Sequence, residues 1–264
     1  MANIHPTAIV SSKASIGDDV TVGPFSIIGD NVTLHNGCKI GSSVTIQGYT
    51  EIGANCKIFT GAVIGSLTQD LKYKGGKTFI KIGAENTIRE YITINSGTAE
   101  GETTYIGNKN LLMAYVHIAH NCHIGNNVII SNVGTLAGHV IVEDFAVIGG
   151  LVGIHQFCRI GKHAIIGGCS KVTKDIIPYV MADGHPALPF AVNKVGLNRR
   201  GFSSEQIKVV ETIYKHLFRS GHNVSEALKL IEEMEQTEEV LSITNFIKQA
   251  ERGIARPKDK QRQG

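Results

Sequence analysis

Five of the eleven histidines in this chain lie between residues 117 and 155, at His117, His120, His123, His139 and His155. An imidazole titrates near pH 6.5, so such a group can take a proton from a hydroxyl around neutral pH or ligate a metal. A backbone N–H at a bare residue such as Gly138 would receive a developing oxyanion, an effect worth roughly 10²–10³ in rate for one donor. Together, base and donor suit acyl transfer to a hydroxyl without a covalent intermediate. The alternative is a set of polar rings decorating an exposed face. Whether residues 120 and 138 meet depends on the elements that carry them.

Those elements announce themselves by period. Every sixth residue from Ile4 to Val172 is aliphatic, except Asp70, Gly76 and Glu100. Six fits neither a helix nor a two-sided strand. It fits short strands folded around a triangular prism, three hexads and so 18 residues to a coil. The residue after each aliphatic is often Gly, as at Gly17, Gly53, Gly107 and Gly149, which suits a tight corner. Asn31, Asn55, Asn86, Asn108 and Asn127 are placed near corners, where Asn tolerates left-handed backbone. The residue two before each aliphatic is small or β-branched and fills the interior. Cys38, Cys56, Cys122 and Cys158 occupy that slot, which makes them small buried hydrophobes rather than nucleophiles.

A coil of 18 residues stacks His120, Gly138 and Gln156 in one column and Asn121, His139 and Phe157 in the next, with Ala137 and His155 in a third. His120, His139 and His155 are therefore expected at one corner of adjacent coils. His117, His120 and His123 resemble a metal-binding HxxHxxH, yet His117 and His123 fall on different prism sides. Three converging zinc ligands are not expected within one chain.

The hexads are interrupted by two polar, Gly-rich excursions near 65–81 and 95–105, where a rigid solenoid tends to carry function. The first holds Lys72, Lys74, Lys77 and Lys81, either a basic rim for an acidic protein partner or a merely solvated loop. The β-helix is expected over 1–190 and a helical domain with a frayed tail over 191–264. Pro178, Pro186 and Pro189 mark the transition. Ser203 with Gln206 reads as a capping box, and helical spacing runs on to Phe218.

With 42% hydrophobic and 19% charged residues, the chain of 264 residues is globular. A net charge of +3 leaves no nucleic-acid footprint. Without a signal-like start, a long apolar run or a CxxC pair, a cytoplasmic protein with reduced thiols is expected.

HIAHNC at 117–122, TLAGHV at 135–140, HQFCRIG at 155–161, QDLKY at 69–73 and VNKVGLNRRGF at 192–202 resemble the acyl-carrier-protein-dependent UDP-N-acetylglucosamine O-acyltransferases, the hexapeptide-repeat enzymes that begin lipid A synthesis. The resemblance covers essentially the whole chain. It implies a left-handed parallel β-helix with a C-terminal α-helical domain, assembled as a homotrimer with sites between neighbouring prisms, and no cofactor. It implies His120 as general base for the sugar 3-hydroxyl, an (R)-3-hydroxyacyl carrier protein as donor, and the Gly138 N–H as oxyanion donor. Gln69, Asp70, Leu71, Lys72, His117, His139, His155 and Gln156 match substrate contacts, and Asn193, Arg199 and Arg200 match the uridine and phosphate end. Gly168 matches the position that limits acyl length. Asn121 stands where many relatives have Asp, Val195 replaces an acidic residue seen in some, and His185–Pro186 varies from the pattern of others. The rival readings are a sister N-acyltransferase, which usually carries an extra N-terminal domain for which the hexads leave no room, and a zinc-dependent carbonic anhydrase-like enzyme.

Overall fold

A computed structural model describes residues 1–257, so the expected frayed tail falls largely outside the described residues. The hexads fold as foreseen, most giving a strand of two residues that ends on the ruler aliphatic. The strands lie in three sheets of eleven, nine and eight, the faces of a left-handed prism. On the first face Ile4 pairs with Val22, Val22 with Ile40 and Ile40 with Ile58, all parallel. Ile118, Leu136 and Ile154 stack on the second face, and Ile124, Val142 and Ile160 on the third.

Two coils are longer. Ile58 pairs with Ile88 and Ile88 with Leu112, so the excursions add twelve and six residues, and the ruler keeps its phase across both. Both leave from the same edge of the prism. Val63–Ser66 on the second face is followed by Phe79–Ile82 on the third, and Thr93–Asn95 by Thr103–Ile106.

The interior is a single apolar column in which Ile46, Ile118, Ile130 and Leu136 are fully buried. Each such side chain contributes roughly 1.5–3 kcal/mol over its exposed state. Cys38, Cys56, Cys122 and Cys158 share this column, whereas Cys169 is exposed. The corners differ from expectation in one respect. Left-handed backbone falls three residues after the ruler aliphatic, at Asn121 (φ 60°), His139 (φ 61°) and Phe157 (φ 64°), not at the glycine that follows it. That glycine answers a different need: a Cβ on Gly53 would lie 2.6 Å from the carbonyl carbon of Gly83 in the next coil. Asn55 and Asn127 take the left-handed turn, but Asn31, Asn86 and Asn108 do not. Asn86 is buried, its amide donating to the carbonyls of Gly83 and Gly107 at 2.8 Å.

The segment around Pro186 and Pro189 forms a hairpin. Val180–Gly184 adds in parallel to the strand at Ile165–Ile166, and Ala187–Val192 folds back on it. Among the described residues four helices follow: α1 (Lys194–Arg199), α2 (Ser204–Phe218), α3 (Val224–Glu232) and α4 (Glu238–Lys248). The Ser203–Gln206 capping box is present at the start of α2. The helices are fastened to the last coils. Lys162 Nζ meets Glu238 Oε1 at 2.8 Å, and the Asp175 N–H donates to Gly253 O at 3.1 Å. No helix among the described residues is long and apolar enough to cross a membrane.

Candidate active site

The edge between the second and third faces carries, coil after coil, the two excursions, then His120 and Asn121, then Gly138 and His139, then His155 to Phe157. The 18-residue stacking holds there. His139 donates its backbone N–H to His120 O at 3.0 Å, and Phe157 donates to Gly138 O at 3.2 Å. The His120 ring lies against the bare Gly138, its Cε1 and Nε2 in the space a Cβ there would need. Among the described residues the Gly138 N–H has no hydrogen-bond acceptor.

The tautomer of His120 follows from its neighbour. Nδ1 lies 2.9 Å from Asn121 Oδ1. That oxygen also accepts the Thr98 N–H at 3.2 Å, while Asn121 Nδ2 donates to Glu102 Oε2 at 2.8 Å, which fixes the orientation of the amide. A carbonyl oxygen only accepts, so His120 Nδ1 carries the proton and Nε2 presents a lone pair. Nε2 looks toward Asp70 Oδ2 at 3.7 Å, a carboxylate delivered by the first excursion. A hydroxyl approaching Nε2 meets a base held in the right tautomer.

The excursions brace each other. Asn95 Nδ2 donates to Leu67 O at 3.1 Å, Thr78 Oγ1 to Ser96 Oγ at 2.9 Å and the Lys77 N–H to Glu100 Oε2 at 2.8 Å. Asp70 Oδ1 accepts the Lys72 N–H at 2.9 Å, a local turn that fixes its carboxylate. Leu71, Lys72 and Gln69 are exposed, with Leu71 wholly so. Lys77 Nζ sits 4.5 Å from the centre of the Tyr49 ring, so this lysine has a structural contact as well as a charge.

His139 meets His120 edge to face, ring centres 5.2 Å apart, and stacks on Phe157 at 4.7 Å. Burial, then the neighbouring His120, hold the His139 imidazole below its ordinary pKa. Burial does the same for His117, whose Nδ1 lies 2.7 Å from Thr93 Oγ1. The Glu102 carboxyl is drawn below the usual range by the Ala99 N–H and then by Asn121, so it is ionised at neutral pH. Asn121 and His139 line a hollow of about 460 Å³ on the third face, closed by Gln249 and Glu251 beyond α4.

Not every expected residue converges. His155 and Gln156 are exposed on the same edge, and His155 Nδ1 bonds the Gln156 carbonyl at 3.1 Å rather than His120. Arg200 stacks over Phe145 at 4.3 Å, on the edge formed by Phe145, His163 and Tyr179. Arg199 is exposed beside it. Asn193 caps α1 through Gly196 and donates to His163 O at 2.9 Å, so both ends of its amide are engaged. Gly168 lies on the third edge, where a Cβ would meet nothing nearer than Gly150 O at 3.4 Å. His123 stacks on Tyr105 at 4.7 Å, away from His117. Among the described residues no three His, Cys, Asp or Glu are grouped to hold a metal ion. Sequence reasoning missed Glu102 and Thr98. Coil arithmetic held a signal, because the second excursion leaves from the edge that carries His120.

Known proteins resemble this chain in sequence and fold. Residues 175–255 match the model described as UDP N-acetylglucosamine O-acyltransferase, domain 2, and residues 13–48 and 103–134 match that of the bacterial transferase hexapeptide. Proteins named acyl-[acyl-carrier-protein]–UDP-N-acetylglucosamine O-acyltransferase from Thiobacillus denitrificans and Thermodesulfovibrio yellowstonii are 49% and 52% identical, over 97% of this chain and all of theirs. The UDP-N-acetylglucosamine acyltransferase structure of Francisella novicida superposes with a TM-score of 0.95 at 41% identity, over 97% of this chain and 95% of that one. The corresponding Acinetobacter baumannii structure gives 0.92 at 42%, over 96% and 99%. With the hexapeptide coils, the helical cap and near full-length identity in agreement, the chain belongs to the acyl-[acyl-carrier-protein]–UDP-N-acetylglucosamine O-acyltransferase family.

Proposed function

We propose that this chain transfers an (R)-3-hydroxyacyl group from acyl carrier protein to the 3-hydroxyl of UDP-N-acetylglucosamine, the first step of lipid A synthesis. The observation that carries the reading is the His120 ring, bare at Nε2, lying on Gly138. Nε2 takes the proton of the sugar hydroxyl as its oxygen attacks the thioester carbonyl. The carbonyl electrons move onto oxygen opposite the Gly138 N–H, then return as the carbon–sulfur bond breaks. The imidazolium gives its proton to the departing thiolate, and no acyl-enzyme forms.

Asp70 faces this centre, and with Gln69, Leu71 and Lys72 of the same excursion it binds the sugar, with His117, His139, His155 and Gln156 as further contacts. Asn193, Arg199 and Arg200 hold uridine and phosphate, where guanidinium forks suit phosphate oxygens. These groups and Gly168 occupy three different edges of one prism. That separation supports a homotrimer in which neighbouring copies complete each site. The reaction is placed in the cytoplasm, where its carrier protein and nucleotide sugar are soluble.

A paired assay tests the reading. Wild type and His120→Ala are incubated with UDP-N-acetylglucosamine and a range of 3-hydroxyacyl carrier proteins. Loss of turnover by several orders of magnitude is expected, and near-normal turnover would remove His120 from the mechanism.

A further inference from the structure

We infer that Glu102 is a positioning residue for His120, acting through the amide of Asn121. The inference rests on His120 as general base and concerns what holds that base. Position 121 carries an amide, so no carboxylate touches the imidazole from behind. The negative charge sits one group further back. Asn121 accepts at Oδ1 from His120 Nδ1 and the Thr98 N–H, and donates through Nδ2 to Glu102.

Glu102 is itself held. Its Oε2 accepts the N–H groups of Ala99 at 2.8 Å and Thr98 at 3.2 Å, together with Asn121 Nδ2. It therefore accepts only, and it compels Asn121 to turn its NH2 outward and its oxygen toward the imidazole. The Asn121 backbone is locked as well, its N–H donating to the buried Thr104 Oγ1 at 2.9 Å. Were the Asn121 amide to flip, an NH2 would face His120 Nδ1. The ring would then move its proton to Nε2, the atom that must be bare. The Glu102 carboxylate makes that flip unfavourable, because an amide oxygen would abut an ionised oxygen at 2.8 Å.

Glu102 bonds Asn121, Ala99 and Thr98 and not the imidazole itself, so its effect belongs in turnover rather than in sugar binding. The second excursion thereby has a reason to leave from this edge: it delivers the anion that position 121 lacks.

The test is a charge swap within the pair. Glu102→Gln leaves an amide facing an amide, with the Ala99 and Thr98 donors competing for its one oxygen. It is expected to lower kcat roughly ten- to a hundredfold while the KM for UDP-N-acetylglucosamine stays within about threefold. Asn121→Asp sets two carboxylates against each other and lowers kcat similarly. In the double variant Glu102→Gln/Asn121→Asp, Asp accepts from His120 and Thr98, and Gln donates to Asp while still accepting from Ala99. Recovery of kcat to within about threefold of the parent is expected, a non-additivity that a merely structural role would not give. A Glu102→Gln enzyme with parental kcat, or a double variant no better than the singles, would overturn the inference. A near-normal His120→Ala enzyme would instead overturn the general-base reading beneath it.

Discussion

A Cβ built on Gly138 falls 2.4 Å from both Cε1 and Nε2 of His120, so the imidazole occupies the space that a side chain at 138 would need. Glycine here is a steric requirement of the neighbouring coil. Gly138→Ala is expected to push the ring off its position and cut turnover on the order of a hundredfold, the scale of an ångström's misplacement. Its melting temperature should stay near that of the parent, because the methyl lies outside the buried column. Equal turnover in the two proteins would break the link between coil stacking and chemistry.

His163 is stacked between Phe145 and Tyr179, and burial, with Arg200 next, pulls its pKa from 6.5 to about 4. The folded state thus binds the proton less readily than the unfolded chain. The resulting stability is fully present above about pH 6.5 and is lost as pH falls toward 4, in total on the order of 3 kcal/mol. His163→Phe keeps the stack and removes the proton. Urea titrations between pH 4 and 6.5 should show a flatter profile in the variant, and parallel profiles would contradict the assignment.

A Cβ at position 168 would reach only van der Waals distance of Gly150 O, at 3.4 Å, and glycine leaves that space free for an acyl chain. The parent enzyme is expected to prefer acyl chains longer than about ten carbons, since each buried methylene gains ~0.8 kcal/mol. Gly168→Met should move the preference to shorter chains. A parent already selective for short donors would refute the reading.

Lys74 is exposed, whereas Lys77 is held over Tyr49. Reversing both to Glu should raise the KM for acyl carrier protein several-fold at low salt and less so at high salt, where surface charges are screened. An unchanged KM would leave these lysines as solubilising charges only.

The prism was legible because every hexad repeats the same instruction, and a wrong reading at one coil is outvoted by its neighbours. The column of His120 and Gly138 followed from counting alone, since residues 120 and 138 differ by one coil. Glu102 did not follow, because a loop residue leaves the ladder and its direction is set by partners such as the Ala99 N–H rather than by period. The hairpin at Val180–Val192 was also hidden, its prolines having marked a break without saying what filled it. Arg200 and Gly168 could be flagged from sequence one at a time, yet only three-dimensional placement reveals that they occupy separate edges.

The two ends of the prism are not alike. At Ile4 and Ile9 the first coil exposes apolar side chains and a strand edge bonded on one side only, while the last coils are fastened to α4 and the Asp175–Gly253 contact. In a stack where each layer touches just its neighbours, fraying starts at the unguarded end. Amide exchange should therefore slow progressively from the amino terminus toward the helices, and the layers of His120 and Gly138, beyond the midpoint, would stay closed while the first turns open and shut.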